Sequence, residues 1–128
     1  MRVLAPASVP APTSNYSHGI VAGGFVFVAG TVGVGLDKRI PGDGGIEAQT
    51  LQAIDNVAAI LAEAGATLAN VVSATVYLSD MADYAGFAAA WAERFGAHRP
   101  ARATVRADMV HPALKVEIEA IATAPTVP

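Results

Sequence analysis

Two segments in the last third of the chain carry the side chains best suited to chemistry: residues 98–105 (HRPARATV) and 115–122 (KVEIEAIA). Charged residues are only 15% of the composition, so a charge inside an apolar stretch is informative. Arg102 opens one such stretch and Glu117 lies inside another. With the two-residue period of a strand, Arg102, Thr104 and Arg106 share one face of the first, and Ala103, Val105 and Ala107 the other. In the second, Lys115, Glu117 and Glu119 oppose Val116, Ile118 and Ala120. Pairing of these strands would project a guanidinium and a carboxylate from the same side of one sheet. A guanidinium fork suits a small carboxylate, and a carboxylate beside it can orient a water. The chemistry indicated is hydrolysis of a small acid.

The rest of the chain must position these groups. Residues 5–14 contain Pro6, Pro10 and Pro12 and read as an extended arm. A strand is expected over His18–Val21, a turn at Gly23 and Gly24, and a second strand over Phe25–Gly30, apolar and so expected to be buried on both faces. Five glycines and Pro41 make residues 31–45 a loop, with room for a short strand. The spacing of Leu51, Ile54, Ala58 and Leu61, with Val57 alongside, predicts a helix over Ile46–Ala64, ended by Gly65. Val71–Leu78 alternates as a strand. Asp80 is placed to cap a second helix, about Met81–Phe95, with Phe87, Ala90, Trp91 and Phe95 inward. Strands near 102–107 and 115–123 follow, around a loop at His111-Pro112, and the tail from Ala124 is expected to fray. This order predicts an α+β layer, a mixed sheet with both helices on one face. The other face, rich in Ser, Thr, Tyr, Arg and Glu, then needs a cover, and a subunit interface suits it.

Composition narrows the function. At 128 residues the chain is expected to form one domain, 1–128, burying roughly two-thirds of its unfolded surface. No apolar run approaches the ~20 residues of a membrane helix, and the N-terminus lacks the pattern of a signal peptide, so no membrane partner is expected. There is no cysteine, hence no thiolate nucleophile, which fits a cytoplasmic location. A net charge of −3 without a basic run argues against nucleic acid. His18, His98 and His111 lack ligand spacing, so no metal is expected. Gly33-Val34-Gly35 does not continue as a nucleotide loop, and Ser14, Ser17 and His18 form no arguable triad.

Several ordered motifs carry a resemblance. Residues 100–102 (PAR) and 116–122 (VEIEAIA), with 15–19 (NYSHG), 26–31 (VFVAGT), Gln49-Thr50, 55–57 (DNV), Leu61, Ala64-Gly65, Val71-Val72 and 75–81 (TVYLSDM), resemble the RidA (YjgF) family of enamine/imine deaminases across almost the whole chain. The resemblance implies a chorismate-mutase-like fold, a homotrimer with sites between subunits, and cofactor-free conversion of a 2-imino acid or its enamine to a 2-oxo acid and ammonia.

It also implies roles. Arg102 would bind the substrate carboxylate; its bland alternative is an intersubunit ion pair. Glu117 would place the attacking water, where periodicity alone leaves Glu119 equally open and an ion pair with Arg102, Arg106 or Lys115 is the alternative. Tyr16 would line the pocket or merely anchor the arm. Gly30 would bring its backbone to the substrate or simply end a strand, and Thr31 and Thr104 would complete the binding residues. Ala29, Thr31, Ala88 and Thr104 depart from the Ser, Gln, Asn and Cys common at these family positions. Those departures leave room for a pathway-specific enamine (aminoacrylate or aminomuconate type), or for a non-catalytic binder of small carboxylates.

Overall fold

A computed structural model describes residues 1–125. Its strands are β1 (Arg2–Leu4), β2 (Gly19–Ala22), β3 (Phe25–Val32), β4 (Val71–Leu78), β5 (Ala101–Arg106) and β6 (Val116–Thr123). Helix α1 (Ile46–Glu63) precedes β4, and α2 (Tyr84–Phe95) joins β4 to β5. One six-stranded sheet has the order β1-β2-β3-β6-β4-β5. Every pairing is antiparallel except β4 with β5, where α2 supplies the crossover that a parallel pair requires.

Val26, Val28, Val76, Leu78, Val116 and Ile118 project from one sheet face into a single core with Ile54, Val57, Ile60, Leu61 and Phe87. Both helices therefore cover the same face, as the element order predicts. Helix α2 buries Phe87, Ala90, Trp91 and Phe95, again as predicted. Asp80 does cap, but it caps a 3-10 turn over Met81–Asp83: its Oδ1 accepts the Ala82 N–H at 2.9 Å, and α2 begins only afterwards. Gly65 follows α1 at φ +75°, the left-handed position where glycine carries no Cβ penalty.

The structure departs from expectation in further places. The buried stripe of α1 is Gln49, Ala53, Asn56 and Ile60 with Ile54, Val57 and Leu61, while Leu51 and Ala58 are only half-buried. Two amides lie on the inward stripe, and a periodicity counted on apolar residues alone misplaces its centre. Strand β3 is not covered on both sides: Phe25 and Phe27 remain 42% and 44% exposed, because no layer of this chain lies over the outer sheet face. Finally, Ala124 donates its N–H to the Gly24 carbonyl at 2.9 Å, so fraying does not begin there; residues 126–128 of the expected tail lie outside the described residues.

Gln49 fixes where β6 starts. Fully buried, its Nε2 donates to the carbonyls of Gly44 and Ala113, both at 2.9 Å, and its Oε1 accepts the Lys115 N–H at 2.8 Å. One side chain thus ties the glycine-rich loop to the turn before β6. Leucine fills a similar volume but would leave three backbone groups unpartnered, each costing about 1–3 kcal/mol. Gln49→Leu is expected to lower the unfolding free energy by at least about 2 kcal/mol. Urea melts at fixed protein concentration measure it, and an unchanged midpoint would show the latch to be dispensable.

Candidate functional site

The parallel register sets Arg102 beside Ala74 and Thr104 beside Val76, both core-facing positions of β4. Arg102 and Thr104 therefore project toward the helix layer. The Arg102 guanidinium carbon lies 5.0 Å from the Phe87 ring centroid and 4.9 Å from that of Trp91. Its Nη2 donates to the Tyr84 hydroxyl at 3.1 Å. Aromatic faces hold a guanidinium through its charge while leaving its in-plane N–H groups available. Among the described residues Arg102 forms no ion pair within its own chain.

Glu117 faces the other way. It stands opposite Tyr77 on β4 and Val32 on β3, on the sheet face away from the helices. Strands β5 and β6 do not pair, because β4 runs between them. The expectation that Arg102 and Glu117 share one side of the sheet is thus corrected: the intervening strand and its register place them on opposite faces.

The two carboxylates of β6 are not equivalent. Glu119 Oε1 accepts the Tyr77 hydroxyl at 2.7 Å. Glu117 has no hydrogen-bond partner among the described residues, and it lies against Gly30, where a Cβ would come within 2.8 Å of its Oε2. The missing side chain at Gly30, inside the β-bulge between Val28 and Thr31, makes the space that Glu117 occupies. Burial raises the Glu117 carboxyl pKa, and the neighbouring charge of Glu119 raises it further. The Tyr77 phenol is also held above its usual value, first by its bond to Glu119.

Beside Gly30 the arm roofs a cavity of about 620 Å³, lined by Pro10, Tyr16, His18, Gly30, Thr31 and Asn56 among others. A hydrogen bond of 2.6 Å between His18 Nε2 and the Pro10 carbonyl ties the arm down, and the Tyr16 ring meets the His18 ring edge-on. Tyr16 is 48% exposed, more than a buried anchor would be. The Thr31 hydroxyl donates to the Ala29 carbonyl at 2.7 Å, leaving it an acceptor toward the cavity. Asn56 Nδ2 donates to the carbonyls of Val32 and Val34, holding the cavity wall.

The six sequence-chosen residues thus fall into two groups. Tyr16, Gly30, Thr31 and Glu117 gather at β3 and β6, while Arg102 and Thr104 stand on β5. Three strand spacings separate β3 from β5, about 14 Å. Sequence reasoning missed Tyr84, and with it the aromatic seat of Arg102. The signal was the spacing of 84, 87 and 91 along one helix stripe, of which Phe87 and Trp91 were read only as core.

The raised Glu117 pKa has a consequence for stability. A carboxyl whose folded pKa exceeds its unfolded value disfavours the folded state above that folded pKa, and the penalty vanishes once both states are protonated. Glu117→Gln is therefore expected to raise the melting temperature at pH 7. The gain should shrink as pH falls from the raised folded pKa toward the ordinary carboxylate range. Melting curves of both proteins across that range test the sign; a neutral-pH destabilisation would contradict it.

Comparison with known proteins agrees with this fold. The family model described as endoribonuclease L-PSP matches residues 6–124. A RutC family protein of Pyrococcus abyssi is 39% identical over 120 residues, 94% of each chain. The crystal structure of the YjgF gene product from E. coli superposes with a TM-score of 0.89 at 31% identity, covering 98% of this chain and 100% of that one. RidA from a Psychrobacter species gives a TM-score of 0.89 at 28% identity over 96% and 99% of the two chains. E. coli TdcF, crystallised with bound serine, gives 0.89 at 28% over 96% and 98%. With its sheet order, its two helices on one face and its ordered motifs all accounted for, the chain belongs to the RidA (YjgF/RutC) family.

Proposed function

We propose that this protein is a cofactor-free deaminase of reactive 2-imino acids and their enamine tautomers, working at sites completed between the copies of a homotrimer. One observation carries the reading. Each chain holds two half-sites with unsatisfied groups, a guanidinium without a carboxylate at the β5 edge and a carboxylate without a donor at the β3–β6 half. The β5 edge of one copy set against the arm half of the next supplies what each lacks. The uncovered sheet face supports the same assembly: Val3, Phe25, Phe27 and Val105 are each more than 40% exposed, and self-association is a usual cover for such a face.

In this reading Arg102 takes the substrate carboxylate in a bidentate grip, with Thr104 beside it. Tyr16, Gly30 and Thr31 enclose the remaining atoms. Glu117 accepts a proton from water as the water oxygen adds to the imine carbon, and passes it to the imine nitrogen, giving a neutral carbinolamine. The carbinolamine then collapses: Glu117 takes its hydroxyl proton and delivers it to the nitrogen as the carbon–nitrogen bond breaks, so that ammonia leaves and a 2-oxo acid remains. A carboxyl with a raised pKa suits this two-way traffic at neutral pH. Imines hydrolyse unaided in water, so positioning and modest electrostatics suffice. The serine bound to TdcF supports a site of this family shaped for a small carboxylate. The cysteine-free composition suits a cytoplasmic setting. The description of the family model points instead to RNA; a net charge of −3 without a basic run weighs against that here.

Light scattering at micromolar concentration is expected to give three times the chain mass; a monomer would remove the shared site altogether. Ammonia release from 2-iminobutanoate, generated in place by an amino acid oxidase, is expected to accelerate when the protein is added. Arg102→Lys keeps the charge but loses the planar fork, and its kcat/KM should fall by about 100-fold, of the order seen when a bidentate charged contact is broken. Glu117→Gln should retain carboxylate binding and slow turnover, and Glu119→Gln should affect it less. Wild-type rates in both Arg102→Lys and Glu117→Gln would leave the mechanism without support, and an inactive wild type that still binds 2-oxo acids would make it a binder.

A further inference from the structure

We propose that Tyr84 is a second anchor for the substrate carboxylate, its hydroxyl donating to the same anion that Arg102 grips; this rests on the carboxylate-binding reading of Arg102 given above. Tyr84 is the first residue of α2 and its side chain is 41% exposed. Its ring leans on Phe87 at a centroid distance of 6.1 Å, which fixes where the hydroxyl can go. The hydroxyl oxygen accepts from Arg102 Nη2 at 3.1 Å. A phenol both accepts and donates. Having accepted from a cation, its own proton is free, and among the described residues no acceptor takes it. The guanidinium is held over Phe87 and Trp91, so its remaining donors and the phenol proton address one neighbourhood. A group offered several donors, one of them cationic, with no acceptor among them, is complementary to an anion with more than one oxygen.

The helix stripe that seats Arg102 strengthens the case. Positions 84, 87, 88 and 91 lie on one side of α2, spaced three and four residues apart. Phe87 and Trp91 offer ring faces and Ala88 a methyl, so Tyr84 carries the only hydroxyl among these four positions. The competing explanation is that Tyr84 merely props Arg102. A prop and a ligand differ in one respect: with Arg102 replaced, a ligand still adds to anion affinity and a prop adds nothing.

Isothermal titration with 2-oxobutanoate, a carboxylate of the product class, separates them. Four proteins are compared: the wild type, Tyr84→Phe, Arg102→Lys and the double variant Tyr84→Phe/Arg102→Lys, each verified to keep its fold by circular dichroism. Tyr84→Phe should weaken binding about tenfold, the loss expected for one hydrogen bond to a charged group. The double variant should bind about tenfold more weakly than Arg102→Lys alone, since the phenol donates to the anion whether or not a guanidinium stands beside it. Tyr84→Phe binding as tightly as the wild type, with Arg102→Lys still impaired, would overturn the role of Tyr84 and leave that of Arg102 standing. A Tyr84→Phe loss that disappears in the Arg102→Lys background would also overturn it, in favour of the prop. A wild type that does not bind 2-oxobutanoate, or Arg102→Lys binding it normally, would overturn the carboxylate site itself and this inference with it.

Discussion

The register of β6 is the constraint on which the rest depends. This strand lies between β3 and β4 and places Val116, Ile118, Ala120 and Ala122 in the core, none more than 4% exposed. A slip of one residue would exchange these for Glu117 and Glu119. Two carboxylates would then meet Ile54 and Phe87 instead of the open sheet face, at a cost no local contact could offset. The same register delivers Glu119 to Tyr77 and leaves Glu117 against Gly30. The division of labour between two chemically identical side chains is thus a by-product of packing the opposite face. Gln49 fixes the phase at the start of the strand, where it bonds to Ala113 and Lys115 before the alternation begins.

Local pattern reached only part of this arrangement. The alternation of β4 from Ala74 to Leu78 and of β6, the limits of α1 and the aromatic stripe of α2 are written within short windows and read correctly. A register shift between Val71 and Ser73, however, turns Val72, expected inward with Ala74, out to 44% exposure. The order of the strands is not local. That β4 separates β5 from β6 follows from the parallel crossover through α2 and from the pairing of β6 with two partners distant in sequence. The pairing of guanidinium and carboxylate faces was misjudged for that reason. The α1 stripe was misjudged for another: Gln49 and Asn56 are buried because they bond to backbone, and a count of apolar residues is blind to amides used in this way. Periodicity left Glu117 and Glu119 equivalent and the family resemblance chose between them. The structure distinguishes them in one respect: Glu119 accepts the Tyr77 hydroxyl, and Glu117 has no hydrogen-bond partner among the described residues.

Charge is scarce in this chain and its placement is correspondingly telling. The bidentate contact of Arg94 with Asp55 ties α2 to α1, but both side chains are well exposed, so it adds little to stability. Arg102 and Glu117 are treated differently. Neither is neutralised by an opposite charge of its own chain among the described residues. Arg102 is instead oriented by ring faces, a contact of about 0.5–2 kcal/mol that occupies none of its N–H groups. Glu117 is desolvated without a donor, so its proton affinity rises. An ion pair between them inside one chain would cancel both properties. Their separation by sheet topology keeps each group ready for a third molecule.

The outer sheet face and the β5 edge pose one problem between them. Phe25, Phe27 and Val105 leave apolar surface on the face, above a hollow of about 250 Å³ bordered by Phe27, Ser73, Thr75 and Glu119. Strand β5 is paired on one side only, and an open edge invites further strands. Arg102 and Arg106 place charge on that edge, which discourages indiscriminate pairing without covering the face. The two half-sites look in opposed directions, Arg102 toward the helices and Glu117 away from them. In a head-to-tail contact each neighbour meets a different half, and a ring that closes leaves no half unmatched. Under the proposed assembly the contact that covers the apolar face is also the one that completes the site. Loss of the assembly would then remove catalysis without altering any residue that performs it.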